Sequence, residues 1–293
     1  MDGVIVVDKP QGWTSHDVVG KMRRIAGTKK IGHLGTLDPL ATGVLPLVIG
    51  RATRLSQFYT RSDKIYEGVV RFGWSTDTYD REGVQVGPST EVSLDRDRLE
   101  LLLDRFRGRI LQTPPAVSAK RIGGKRAYEL ARSSVAVELE PVEVEVYDLT
   151  ILEVAGAMAK LRVHCSGGTY VRSIAHDLGH LLGTGAHLEE LRRLSSGEYE
   201  IGQARTIAQL EGLAAEQRLV DVLVPAASML PLFPVVFVND ETVAAIRNGR
   251  NFPASPFRMN AGAAHVKAVN ARGELVAIGK AVLLNLYHPI VVI

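Results

Sequence analysis

Asp38 and His33 share one glycine-rich loop, Gly32-His33-Leu34-Gly35-Thr36-Leu37-Asp38-Pro39-Leu40-Ala41-Thr42-Gly43. Pro39 keeps Asp38 out of the helical region, because a proline ring clashes with an α conformation in the residue before it. An acid held extended between apolar neighbours is unlike a solvated aspartate, and one positioned carboxylate can serve as nucleophile or proton carrier. As a bare dipeptide, Asp38-Pro39 is an ordinary turn. Arg172 lies in Gly168-Thr169-Tyr170-Val171-Arg172-Ser173-Ile174, where a strand gives way to a helix. A guanidinium in the first turn of a helix slightly opposes the helix dipole. On an otherwise apolar face it calls for a counter-ion, and a carboxylate suits its planar fork. On these residues alone a surface arginine is the simpler reading.

Other chemistries find no support. His176 and His180 stand four apart on a helix, but the glutamate of the hydrolase motif is missing, and neither His187 nor any other residue supplies an obvious third ligand. They read as surface or capping histidines, with no metal. The single cysteine, Cys165, rules out an internal disulfide and a cysteine-based zinc site; in its apolar strand it reads as structural. Gly123-Gly124-Lys125 lacks the leading glycine and the Ser/Thr of a phosphate loop. There is no serine nucleophile elbow.

The elements that must position Asp38 and Arg172 follow from periodicity. Gly3 to Val7 reads as a buried strand, and Thr14 or Ser15 caps a helix carrying Val18, Met22 and Ile25 on one face. Tyr66 to Phe72 alternates like a strand, and Leu94 to Phe106 reads as an amphipathic helix. Val142 to Val146 and Leu161 to Cys165 read as strands. Ile174, Leu178, Leu181 and Leu182 line a helix, and Leu188, Leu191 and Leu194 predict a second short helix after it. Met229 to Pro234 reads as a linker. Beyond it, Glu241 to Arg247 reads as a small helix, and Val266 to Val269 with Leu275 to Ile278 form a hairpin about Asn270-Ala271-Arg272-Gly273. Helices and strands lack a strict βαβ rhythm, so the class is α+β. The division is residues 1–230 and a small, mostly β unit, 231–293.

At 293 residues, 46% hydrophobic and 23% charged, the chain can bury a core unaided. No stretch approaches the roughly 18 apolar residues of a membrane span. The N-terminus has no basic segment before its apolar run, so no signal peptide is expected. With one cysteine, this points to the cytoplasm. Net charge is only +3, but it is unevenly spread. Residues 105–132 hold eight basic groups and one acid, Glu129, among prolines and glycines. Such a cluster fits either a solvated face or contact with a polyanion.

These motifs together resemble the bacterial tRNA pseudouridine synthase B (TruB) family. The opening Asp8-Lys9-Pro10 with Gly12 and Thr14-Ser15-His16 is similar to its first motif, and the Asp38 loop to its catalytic motif. Asp63-Lys64-Ile65-Tyr66 resembles its aromatic motif. Pro114-Pro115 through Ser118-Ala119-Lys120, then Gly124, Arg126-Ala127-Tyr128 and Ala131-Arg132, resemble its RNA-gripping insertion, about residues 108–132. Cys165 through Arg172 resembles its arginine motif. The tail from about Phe233 is more weakly similar to a PUA-like RNA-binding domain. The short tail favours the stand-alone bacterial enzyme over guide-RNA-dependent relatives.

The resemblance implies a mixed-sheet catalytic domain that isomerises the uridine at tRNA position 55, in the T arm, to pseudouridine. The base is cut from N1, turned and rejoined through C5, with no redox change, hydrolysis or phosphate transfer, and so no cofactor. The target must be flipped out of its loop. The resemblance implies that Asp38, Tyr66 and Arg172 are catalytic, with Tyr66 a stacking ring, and that His33, Lys64, Tyr170 and Leu191 bind substrate, His33 filling the space the base leaves. Lys9, Lys120, Arg121, Lys125, Arg126 and Arg132 would contact RNA. A monomer without a protein partner is expected. The rivals are a non-catalytic RNA-binding protein or tRNA-folding chaperone, which needs none of Asp38, Tyr66 and Arg172, and a nucleobase deaminase, whose zinc set one cysteine cannot supply.

Overall fold

Along the strand Lys64–Phe72, Lys64, Tyr66, Gly68, Val70 and Phe72 are buried while the residues between them are partly exposed. This is the two-residue period of a strand with one covered face. In the computed structural model, residues 1–115, 140–254 and 262–293 are described in full, and 121–122 and 125–126 by backbone alone.

The strands are β1 (Gly3–Lys9), β2 (Ile31–His33), β3 (Thr42–Ile49), β4 (Lys64–Phe72), β5 (Gly108–Gln112), β6 (Val142–Ala155), β7 (Met158–Cys165), β8 (Ala186–Ser196) and β9 (Val224–Pro225). They form most of a ten-stranded sheet in the order β9-β1-β3-β8-β4-β7-β6-β5, with β2 beside β3 and Tyr199–Glu200 beside β8. Neighbours are antiparallel except β3 and β8, which meet in parallel through Thr42–Arg192 and Gly43–Arg193. The sheet is therefore mixed, as expected. That short parallel contact brings β8 against the end of the Asp38 loop. Gly43 has φ +97°, and a Cβ there would stand 2.2 Å from the Arg193 carbonyl oxygen, so only glycine permits the approach.

Helix α1 (Ser15–Ile25) starts at Thr14, whose hydroxyl accepts from the Asp17 amide while the Asp17 carboxylate accepts from the Thr14 amide. Helix α2 (Arg96–Leu103) is capped by Asp95 and continues as a tight turn to Phe106. Helix α3 (Val171–Leu182) ends on Gly183 in the left-handed region, φ +74°. Its buried Ile174, Ala175 and Leu178 join the main core with Val70, Phe72, Leu161 and Val163. Helix α4 (Ile207–Ala215) adds Leu210 to the same core.

The segment at Leu188–Leu194 is strand, not helix. Two bulges in β8, between Leu188 and Glu190 and between Arg193 and Ser195, each insert a residue against β4. The first turns Leu188 and Leu191 to the same buried side, so a bulged strand imitates the three-residue spacing of a helix.

A second sheet of five strands holds β10 (Val235–Phe237), β11 (Phe252–Pro253), β12 (His265–Val269), β13 (Leu275–Leu283) and β14 (Leu286–Val292), with helix α5 (Asp240–Arg247) against it. The β12–β13 turn closes as expected, with the Gly273 amide donating to the Asn270 carbonyl over 3.0 Å. The sheets change over between β9 and β10. The segment between is not a loose linker: Met229 and Leu230 are buried, and the Lys267 ammonium donates to the carbonyls of Ala227 and Met229 at 2.9 and 2.8 Å. Val4, Val48 and Leu55 pack in one cluster with Val269, Ile278 and Val291, so the two sheets share apolar core.

Candidate active site

The Asp38 loop is pinned from three sides. Ser15 of α1 accepts from the Leu37 amide at 2.8 Å and donates back to the Leu37 carbonyl at 3.1 Å. Lys9, at the end of β1, donates to the carbonyls of Pro10, Trp13 and Pro39 at 2.9, 2.6 and 3.2 Å. Arg193 of β8 donates to those of Gly35, Thr36 and Val44 at 3.1, 3.2 and 2.7 Å. Lys9 and Arg193 are almost completely buried, yet each finds three carbonyl acceptors, as a buried cation must.

Lys9 is therefore not an RNA contact. Its ammonium is consumed by the loop it holds, and none of the side chain is exposed. Burial pushes it down to about 8, with the Asp38 charge opposing.

Asp38 leans on Arg172, whose Nε stands 2.9 Å from Asp38 Oδ2. The contact is a charge pair outside hydrogen-bond geometry. The same guanidinium places Nη1 3.3 Å from Asp80 Oδ2 and 3.1 Å from the Thr78 carbonyl. The Arg172 and Asp80 side chains are 5% and 6% exposed, against 35% for Asp38. So Arg172 bridges a deep carboxylate and an accessible one. Asp80 is itself fixed, accepting from the Thr78 hydroxyl at 2.7 Å and the Glu82 amide at 3.1 Å. The carboxylate that Arg172 called for is thus two, Asp38 and Asp80.

Asp38, Lys64, Tyr66, Tyr170, Arg172 and Leu191 all line one cleft of about 560 Å³. Lys64 and Tyr66 share the covered face of β4. Burial raises the Tyr66 hydroxyl above its ordinary value while the neighbouring Arg193 pulls it the other way. The phenol is thus a neutral ring in the cleft at physiological pH. Burial, and secondly the Arg193 charge, push the Lys64 ammonium down to about 8. Leu191 lies across Gly68 of β4, where an added Cβ would come within 3.3 Å of its Cδ1. Tyr170 is held by a buried amide that no motif announced. Gln112 accepts from the Tyr170 amide at 2.8 Å and donates to its carbonyl at 3.0 Å.

His33 is not on this cleft. It lines a separate cavity with Lys29, Lys30, Arg51 and Arg54, and its Nδ1 accepts from the Gly35 amide at 3.3 Å. Of the expected RNA contacts in the insertion, Arg121 and Lys125–Arg126 fall in a short antiparallel pair described by backbone alone. Lys120 and Arg132 lie outside the described residues. Pro114, where the chain leaves for this segment, and Val142, where it returns, both line the cleft, so the basic insertion is tethered at the rim. Cys165 is buried, which pushes its thiol up to about 11 and leaves it unreactive. His176 stacks on Tyr79 with ring centres 3.8 Å apart, a packing role.

Residues 23–171 match the model of the TruB family pseudouridylate synthase N-terminal domain, and residues 172–231 that of the tRNA pseudouridylate synthase B C-terminal domain. A tRNA pseudouridine synthase B of Solibacter usitatus (strain Ellin6076) is 68% identical over 292 residues, covering 100% of both chains. The chain belongs to the TruB family of pseudouridylate synthases. Another TruB relative, from Dechloromonas aromatica (strain RCB), is 41% identical over 96% of this chain and 91% of its own. Among solved structures, an archaeal box H/ACA Nop10-Cbf5 complex matches with TM-score 0.70 and 28% identity, over 95% of this chain and 78% of that one. An H/ACA RNP bound to a substrate RNA containing 2′-deoxyuridine matches with TM-score 0.72 and 27% identity, over 98% and 83%. The boundary between the two TruB models falls at the start of α3, inside the main sheet, so Asp38 and Tyr66 come from the first part and Arg172 and Leu191 from the second.

Proposed function

We propose that this TruB-family enzyme converts the uridine at tRNA position 55, in the T arm, to pseudouridine. The observation that carries the reading is the Asp38–Arg172 pair at the floor of a cleft that also presents the Tyr66 ring. In the isomerisation the N1–C1′ bond breaks, a C5–C1′ bond forms, C5 loses its proton and N1 gains one. No electrons enter or leave, so positioned protein groups suffice. Asp38 supplies the accessible carboxylate, Arg172 fixes its direction, and Tyr66 offers a neutral face on which uracil stacks while it turns. Lys64, Tyr170 and Leu191 close the pocket round the flipped nucleoside.

The basic insertion, with Lys120, Arg121, Lys125, Arg126 and Arg132, grips the RNA backbone from the rim. The C-terminal sheet acts as a PUA-like RNA-binding unit, and residues 1–230 as the catalytic domain. The enzyme works as a monomer in the cytoplasm, where tRNA is its only required partner. Incubating the protein with unmodified tRNA and mapping pseudouridine tests the assignment. A single modified site at position 55, lost when that uridine is replaced by cytidine, is expected; modification at another position overturns it.

A further inference from the structure

The cavity beside His33 is built by cations. Lys29, Lys30, Arg51 and Arg54 line a space of about 490 Å³, and no carboxylate contributes to its wall. Among the described residues no acid stands within ion-pair distance of Lys29, Lys30 or Arg54. Arg51 is the exception. Its Nε and Nη2 lie 3.0 and 2.8 Å from Asp2 Oδ2, and its amide donates to Asp2 Oδ1 over 2.6 Å. That approach requires Gly50, with φ +67°, because a Cβ there would sit 2.3 Å from Asp2 Oδ1. Arg54 is also anchored, its Nη1 donating to the Val292 carbonyl of β14 over 2.6 Å. Two guanidinium groups are thus held in place, and two lysines flank them with no counter-ion among the described residues.

Gathering like charges round one groove costs free energy that a polyanion recovers. The groove also has a fixed relation to the cleft. His33 forms part of its wall and opens the same pinned loop that carries Asp38. We infer that this groove is a second RNA-backbone subsite, taking phosphates next to the nucleotide held in the cleft, apart from the insertion at the rim. The ligand class is adjacent phosphodiesters, which the two ammonium groups and the Arg54 guanidinium bind together, the Arg51 fork being taken by Asp2. The inference rests on RNA being the substrate.

The test uses Lys29→Ala/Lys30→Ala, because these exposed side chains make no contact that the fold needs. Affinity for unmodified tRNA is measured across salt concentrations, alongside single-turnover isomerisation at saturating tRNA. Each lost phosphate contact should reduce the log–log salt slope by roughly 0.7–0.9, so the double variant should lose about 1.5 units and bind about tenfold more weakly near 0.1 M salt. The rate at saturation should stay within about twofold of the parent. An unchanged slope and affinity overturns the subsite. The wild-type pseudouridine map in the same experiment shows separately whether the substrate reading stands.

Discussion

Asp38 and Arg172 are paired at 2.9 Å, yet the Asp38 side chain is seven times as exposed as its partner, 35% against 5%. Both line the cleft, and the pair meets solvent chiefly through its carboxylate. A guanidinium so buried is placed to fix the direction of the carboxylate without itself facing solvent.

Arg172→Lys keeps the charge but loses the fork. A lysine has one nitrogen and cannot fill both the Nε position facing Asp38 and the Nη1 position facing Asp80. Turnover should fall on the order of a hundredfold while tRNA affinity changes little. Single-turnover rates and filter-binding constants check this; near-native turnover would show that Arg172 does not aim Asp38.

Asp80→Asn preserves shape and removes the deep charge. Arg172 would then be drawn toward Asp38 alone, and the carboxylate would shift from its set position. The expected loss is in kcat, tenfold or more, with KM nearly constant. A loss confined to KM would instead place Asp80 in RNA binding.

Arg193→Met removes two hydrogen bonds to the Asp38 loop, at the Gly35 and Thr36 carbonyls, and a third to Val44 at the start of β3. Each unsatisfied buried acceptor costs about 1–3 kcal/mol. Thermal unfolding should shift down by several degrees, at roughly 2–4 °C per kcal/mol. An unshifted Tm would mean that the loop holds itself.

Lys64 gives a pH signature. With its ammonium pushed down to about 8, it is mostly charged at pH 7 and mostly neutral at pH 9. Affinity for tRNA should therefore fall as pH rises through 8. Lys64→Arg, which stays protonated, should flatten that fall. A fall that persists undiminished in this variant would show that Lys64 is not the titrating group.

Motifs made of neighbouring residues were legible in sequence. The Asp38 loop, the Lys64–Tyr66 strand and the Tyr170–Arg172 helix start all reach the cleft they were expected to share. Partners far along the chain were not legible. Asp80 lies 92 positions from Arg172, Gln112 58 from Tyr170, and Arg193 157 from Thr36. Only the tertiary fold, which packs helix, loop and strand against one another, brings them together. The β8 bulges hid a strand behind helical spacing, and Arg193 points inward because of that altered register. Lys9 misled for a related reason. It sits in a motif tied to RNA enzymes, but it ends a strand buried along most of its length, where its charge serves backbone carbonyls.

The most direct test is single-turnover isomerisation by Asp38→Asn. The amide keeps the size of the side chain and its place beside Arg172 but lacks the charge and the nucleophilic oxygen. With saturating unmodified tRNA, the variant should bind nearly as well as wild type and form no detectable pseudouridine. Pseudouridine appearing at position 55 at a near-native rate would contradict the account.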